Sequence, residues 1–420
     1  MERMVERCAG LDVHQATVVA CVLINERGRR PRKELRTFGT MTHELEALRD
    51  WLVAERVTHV AMESTGVYWR PIHAVLEEHF TVIVGNARHI RNVPGRKTDV
   101  KDAEWIAELV CCGLIRPSFV PAKPLRELRE LLRYRRKLTE AQAAERNRLQ
   151  KQLEIANIKL GSVATDVFGV SGRAILRALI EGASSPVEMA GLARGRLRRK
   201  RDELAHALKG RLDDTQRFLL SMQLRRVEDI EILIKELDQH ITGKLGPYQT
   251  ELALLMQIPG VDWVVAAALI AEIGVDMSVF VSVHHLAAWA GLCPGSHESA
   301  GKRKNTTARK GNVHLRTMLV GAARPAARTK GSYFKDKYYR LKARRGSMRA
   351  ALAIAHKILV AAYHMLARRV DYRELGEAYL DRIDQTRTAI NLKRRLERLG
   401  YVVSILPQTT PSDAQATRPA

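Results

Sequence analysis

The sequence has little cysteine and pairs none of it. Five cysteines (Cys8, Cys21, Cys111, Cys112, Cys293) stand among 420 residues with no Cys-x-x-Cys spacing. That argues against a structural zinc site and against a disulfide framework. The N-terminal residues Met1-Glu2-Arg3-Met4-Val5-Glu6-Arg7 lack the apolar core of a signal peptide. No apolar run reaches the length of a spanning helix, so the expectation is a cytoplasmic, nucleoid-associated protein with no membrane partner. Acidic residues are short as well: 46 Asp and Glu face 70 Lys and Arg, for a net charge of +24 and a pI near 10.2. Such an excess calls for a polyanionic partner. Nucleic acid comes first, because its phosphate charge drives binding by counterion release, and a membrane surface is the weaker alternative. Aromatics are sparse at 5%, yet 46% hydrophobic residues suit a globular chain. The length allows two or three domains with cores of their own.

Residues 8–113 alternate between strand and helix patterns. Apolar, β-rich runs at Cys8–Val13 and Thr17–Ile24 lead through Asn25-Glu26-Arg27-Gly28 to a third strand, Lys33–Phe38. The spacing of Leu45, Leu48 and Leu52 predicts a helix over His43–Ala54. A strand follows at His59–Met62, a helix at Tyr68–Glu78, a strand at Phe80–Val84 and a helix at Val100–Cys112. A β-meander followed by βα units is the ribonuclease-H-like order.

Beyond Leu125 the character changes. Residues 124–160 are charged, helical in pattern and nearly free of Gly and Pro. A second long segment carries Leu220, Leu224, Val227, Ile230, Ile234, Leu237, Ile241 and Leu245, whose spacing gives one apolar stripe along a helix. The two segments can pair as a hairpin, or with a second chain as a coiled coil. Between them Arg194–Arg201 holds six bases in eight residues, a solvated face or a phosphate contact made by Arg198, Arg199 and Lys200. Farther on, Ile258-Pro259-Gly260-Val261 sits between two apolar helical runs. It reads equally as a helix-hairpin-helix turn, with Gly260 letting backbone amides approach a DNA phosphate, or as an ordinary turn. Leu286–Gly295 ends in turn signals. Ser299–Lys335 contains ten Lys or Arg and no acid, Ala350–Ala367 is helical in pattern, and the chain beyond about Ile405 has a disordered composition. The expected domains are 8–115, 120–248, 249–370 and 371–420. The last comprises C-terminal helices and a disordered tail.

Two constellations carry chemistry. Asp12 interrupts an otherwise apolar strand, a costly placement without a partner. Glu63 ends the fourth strand, and Asp99 and Asp102 lie three apart at the head of the last helix, on one face. Acids also favour a first helical turn because of its dipole. Four acids at the four positions such a fold requires favour a site for divalent ions, Mg2+ or Mn2+, with Arg96, Lys97 and Lys101 at hand for phosphate. The second constellation is Ser299 with Lys302, Arg303, Lys304, Lys310 and Arg316. A serine among such bases either binds phosphate or attacks it.

These residues resemble the Piv/MooV-type DEDD transposases, the insertion-sequence one-ten family. The landmarks are Gly10-Leu11-Asp12-Val13, Glu63-Ser64-Thr65-Gly66 and Lys97-Thr98-Asp99-Val100-Lys101-Asp102-Ala103. Ile258–Val261, Leu286–Pro294, Ser299–Lys302 and Lys310–Arg316 follow in the right order, and the similarity spans about residues 8–370. The resemblance implies an α/β RuvC-like N-terminal domain, a coiled-coil middle and a mainly α C-terminal transposase domain. It implies Asp12, Glu63, Asp99 and Asp102 as metal ligands and Ser299 as a nucleophile linked transiently to DNA. It also implies a structured guide RNA that pairs with donor and target double-stranded DNA, and an assembly of dimers sharing a composite site. The family has Gly directly after the serine; here Ala300 precedes Gly301, which leaves Ser296 as the alternative nucleophile. A structure-selective nuclease such as a junction resolvase, and a non-catalytic nucleic-acid-binding protein, are the competing functions.

Overall fold

The structure, a computed structural model, describes residues 4–25, 31–64, 66–91, 102–295, 297–299, 302–305, 308 and 310–406. It divides into two units, Met1–Val120 and Pro121–Ala420.

The first unit is built on a five-stranded mixed sheet. Its elements are β1 (Arg7–Val13), β2 (Thr17–Ile24), β3 (Arg32–Gly39), α1 (Thr42–Ala54), β4 (His59–Glu63), α2 (Trp69–Leu76), β5 (Thr81–Gly85), α3 (Ala87–Arg91) and α4 (Asp102–Cys111). The strand order is β3-β2-β1-β4-β5. The first three strands form an antiparallel meander, and β4 and β5 join parallel to β1. Side chains alternate across a strand, and the two faces of the sheet are sorted accordingly. Ala9, Leu11 and Val13 of β1, with Val60 and Met62 of β4, pack with Leu48 and Leu52 of α1 and Ile72 and Leu76 of α2. Cys8, Cys21 and Ala61 pack on the other face with Ala103, Ile106 and Val110 of α4. The strands and helices expected from the sequence are present within a few residues at each end, and the unit is α/β as expected. The five-residue α3 is an addition that the sequence pattern does not announce.

Gly10 sets how closely α4 lies on this face. A Cβ at Gly10 would stand 2.3 Å from both the Ala103 carbonyl oxygen and the Ala107 amide nitrogen. The Cys8 thiol donates to the Ala107 carbonyl at 3.5 Å. At the outer edge Lys33 of β3 donates to Glu108 of α4 at 2.6 Å, and that hydrogen bond raises the lysine's pKa.

Among its described residues the second unit is helical apart from one hairpin. It contains α5 (Lys123–Ile155), α6 (Leu160–Val163), α7 (Val170–Glu181), α8 (Pro186–Gly191), a 3-10 turn at Gly195–Lys200, α9 (Arg201–Ala207), α10 (Asp214–Lys244), α11 (Gln249–Met256), α12 (Trp263–Ile273), a 3-10 turn at Met277–Val279 and α13 (Val283–Trp289). Then come β6 (His297–Ser299), β7 (Lys302–Asn305), α14 (Val313–Ala326), α15 (Tyr333–Arg345), α16 (Ser347–Arg368), α17 (Tyr379–Ile383) and α18 (Gln385–Arg398). The two long segments pair with each other. Antiparallel α5 and α10 are joined by Lys244 to Glu127 at 2.7 Å, Arg135 to Asp238 at 2.5 and 2.9 Å, and Arg146 to Glu231 at 2.8 Å. At the far end, α6–α9 form a helical head around a core running from Leu149 to Val227. Backbone bonds close its neck: Arg211 donates to the Ala156 carbonyl, and Lys159 to that of Ala207.

One helix, α16, is long and apolar enough to cross a membrane by length and composition. This corrects the expectation that no run reaches that length. Arg349, His356, Lys357 and His364 break the run without lowering its average far. The buried residues Ala350, Ala351, Ile354, Ile358, Leu359, Ala362 and Leu366 recur at helical spacing, giving one face packed on α14 and α15.

Gly10→Ala drives a methyl group into the α4 backbone and is expected to cost about 3 kcal/mol or more. Urea unfolding of the full chain measures it; an unchanged midpoint would mean that α4 is not seated on β1 in this way.

Candidate active site

Asp12 and Glu63 reach the same ends of two neighbouring strands by simple periodicity. Gly10 and Asp12 share a face of β1, and Ala61 and Glu63 share a face of β4; in both cases it is the face covered by α4. The β1–β4 ladder is parallel and its last partners are Leu11 and Met62. Asp12 and Glu63 therefore follow side by side on neighbouring strands, whose spacing is about 4.8 Å. β1 runs against α4, from Cys8 beside Ala107 to Gly10 beside Ala103. Its next residue on that face, Asp12, lies toward the helix N-terminus, where Asp102 is the first residue. Asp12 and Glu63 are half-buried and Asp102 is exposed. Asp99, Arg96, Lys97 and Lys101 lie outside the described residues.

A histidine that sequence reasoning missed sits on Asp12. Nε2 of His14 donates to Oδ2 of Asp12 at 3.1 Å, and the ring is exposed. The signal was available, since a residue two positions on in a strand shares its face. Carboxylate oxygens are hard donors suited to Mg2+. Among the described residues, however, no group of three or more His, Cys, Asp or Glu could hold a metal ion. The buried cysteines offer no alternative centre there: burial, with neighbouring thiols, pushes Cys8 up to about 12 and keeps it protonated.

The serine and its bases lie on a hairpin the sequence pattern did not predict. β6 and β7 are antiparallel, with Ser299 paired to Lys302 and Glu298 to Arg303; Lys304 also lies in β7. Ser296, Ala300 and Gly301 fall outside the described residues. Downstream, Lys310 is exposed and Arg316 half-buried on the first turn of α14. Gly311 lies so close to α13 that a Cβ would meet the Gly291 nitrogen at 2.3 Å. Arg198, Arg199 and Lys200 are exposed on the helical head, in the 3-10 turn.

Gly260 has a left-handed φ of +83°, and its missing Cβ makes room for α14: a methyl group would stand 2.4 Å from the Ala322 carbonyl. The close approach it permits is that of a helix backbone.

A buried acid fixes the start of α14. Glu272, the last but one residue of the otherwise apolar α12, receives Arg133 through two bonds of 2.8 and 2.9 Å, Arg129 at 3.2 Å and the Asn312 amide at 2.6 Å. Asn312 also caps α14, accepting from the Leu315 amide at 3.1 Å, and donates its own amide to Trp289. Arg129 further donates to the Ala271 and Glu272 carbonyls, satisfying the C-terminal end of α12. Burial, with Arg133 nearby, lowers the pKa of His314.

Residues 9–158 match a family model described as a transposase of the DEDD, IS110 type, and residues 252–339 match one described as Transposase IS116/IS110/IS902 family. No curated protein matches the chain.

Glu272→Ala strands two arginines against a buried site and is expected to cost about 3–5 kcal/mol, with Glu272→Gln costing less. Thermal and urea midpoints of the two variants measure the difference; an alanine variant as stable as the parent would remove the network from this account.

Proposed function

The chain belongs to the IS110 family of transposases, and on that premise we propose that it exchanges DNA strands by metal-dependent phosphoryl transfer through a serine nucleophile, guided by a structured RNA. What supports the reading is the placement of Asp12 and Glu63 at the ends of neighbouring strands on the face that α4 covers, with Asp102 the first residue of α4. Together with Asp99 they would hold Mg2+, or Mn2+ in its place. Such an ion, when bound, supplies activation of the attacking oxygen and stabilisation of the departing one. The N-terminal unit is thus a RuvC-like nuclease domain.

Ser299 is the nucleophile, with Ser296 the alternative. Its Oγ loses a proton and forms a bond to phosphorus, while the bond from phosphorus to a deoxyribose oxygen breaks and that oxygen takes up a proton. A hydroxyl of the second strand then attacks the serine-linked phosphate and releases the serine, so strands are exchanged with the number of phosphodiesters kept. Lys302, Arg303, Lys304, Lys310 and Arg316 neutralise the phosphates around this step. Arg96, Lys97 and Lys101 do the same beside the acids. Arg198, Arg199 and Lys200 hold the backbone of RNA or DNA on the head. The partners are donor and target DNA, a guide RNA and further copies of the chain.

Ser299→Ala and Asp102→Asn are each expected to lower strand exchange at least about 10³-fold while leaving DNA binding in place. Exchange that survives Ser299→Ala removes the serine from the mechanism, and cleavage without it points to a structure-selective nuclease. Exchange unaffected by Asp102→Asn points to a binding protein. The +24 charge makes a second demand: with several phosphates neutralised, affinity falls roughly 10³- to 10⁵-fold between 50 and 200 mM salt. A flat response in fluorescence anisotropy would sink the electrostatic reading.

A further inference from the structure

Among the described residues two surfaces of the helical unit stay uncovered, and each has what the other lacks. The first is α18. Its residues Ala389, Leu392 and Leu396, with Leu399 at its C-cap, follow steps of 3, 4 and 3 and share one stripe. None of the helix is buried; Leu392 is 56% exposed and Leu399 68%. At 100° per residue, Lys393 and Arg395 fall on opposite flanks of that stripe, while Arg387, Arg394 and Arg398 face away from it. The preceding α17 is held to α15 by the ion pair of Asp381 with Arg340 at 2.7 Å, so α18 starts from a fixed point.

The second surface is a cleft of about 980 Å³ between α11, the 3-10 turn at Met277–Val279 and the C-terminal end of α16. Leu254, Phe280, Tyr363 and Leu366 give its wall apolar surface beside Thr250 and Ser278, and Val281 stands on it 86% exposed. Its charged residues are Glu251, Asp276 and Asp371 against the one cation Arg369. A net negative, apolar groove is out of character for a chain of net charge +24. Nucleic acid would be repelled from it, and a cationic amphipathic helix suits it in both respects.

We propose that α18 of one copy docks its Leu392–Leu396–Leu399 stripe into this cleft of a second copy, with Lys393 and Arg395 reaching the acids on its rim. Both surfaces are open among the described residues, and the match of a cation-flanked stripe to an acidic rim assigns another copy as the closing partner. The exchange is heterologous within one contact and becomes a closed dimer when each copy gives a helix and receives one. It stands independently of the catalytic chemistry.

The test uses the full chain without nucleic acid. Leu392→Glu with Leu396→Glu, and separately Val281→Glu, is expected to weaken self-association at least about tenfold in sedimentation equilibrium. All three positions are exposed, so the fold is retained. Asp276→Lys with Asp371→Lys weakens it as well, and Lys393→Glu with Arg395→Glu in the same chain restores it. With Cys112→Ser and Cys293→Ser as background, a Val281→Cys chain and a Leu396→Cys chain carrying tags of different size are mixed and oxidised. A disulfide between the two tags supports the exchange. A disulfide that forms only within one chain carrying both cysteines overturns it, since α18 then folds onto its own cleft. Unchanged association in the glutamate variants, or a loss of DNA binding in place of association, overturns it too.

Discussion

At Gly10 a strand backbone and a helix backbone meet with no side chain between them, and the candidate site depends on that contact. The Cβ-free position brings Ala103 and Ala107 of α4 against β1 and so fixes how far the helix start stands from the strand ends. Asp12 is two residues beyond Gly10, Asp102 one before Ala103. Any residue with a side chain at position 10 would lift the helix and carry Asp102 away from the strand. Cys8, Cys21 and Ala61 on the same face are small as well, while Leu23 fills the layer farther from Gly10. The acids are tolerated because they fall at the layer's open end, where water and ions can reach them.

The helical unit solves the same positioning problem with charge. Helix α12 is buried along nearly all of its length, and such a helix could slide against its neighbours for lack of specific contacts. Glu272 prevents this: its two oxygens are divided among Arg129, Arg133 and Asn312. A buried carboxylate with one partner would be a liability, whereas with three donors it ties α5, α12 and α14 into one register. The start of α14, where Lys310 and Arg316 are carried, inherits that order.

What could be read in the sequence follows from what is local. Strands β1, β2 and β4 read as short apolar runs and are buried along most of their length, and a lone Asp12 in an apolar strand stands out without any structure. The stripe from Leu220 to Leu245 fixed α10 for the same reason, although its choice of α5 as partner within the chain needed the ion pairs. The β6–β7 hairpin escaped, since His297-Glu298-Ser299 and Lys302-Arg303-Lys304-Asn305 have no apolar alternation to mark strands. Gly260 illustrates the other limit. Its turn was legible, but the helix that fills the space beside it comes from 60 residues downstream. Glu272 likewise reads as one acid in an apolar run until Arg129 and Asn312 are brought to it.

The helical head between α5 and α10 enters and leaves the chain at a single point. Arg211 donates to Ala156, and Gly210 sits so close to that carbonyl that a Cβ would stand 2.3 Å away. With its own core from Leu149 to Val227, the head is an insertion plugged onto the tip of a two-helix stalk. Lengthening the stalk by whole turns would carry it outward, and replacing it with a short loop would shorten the reach, in neither case disturbing the sheet edge or Glu272. The stalk is thus a ruler, whose length is reset by inserting or deleting matched turns on α5 and α10.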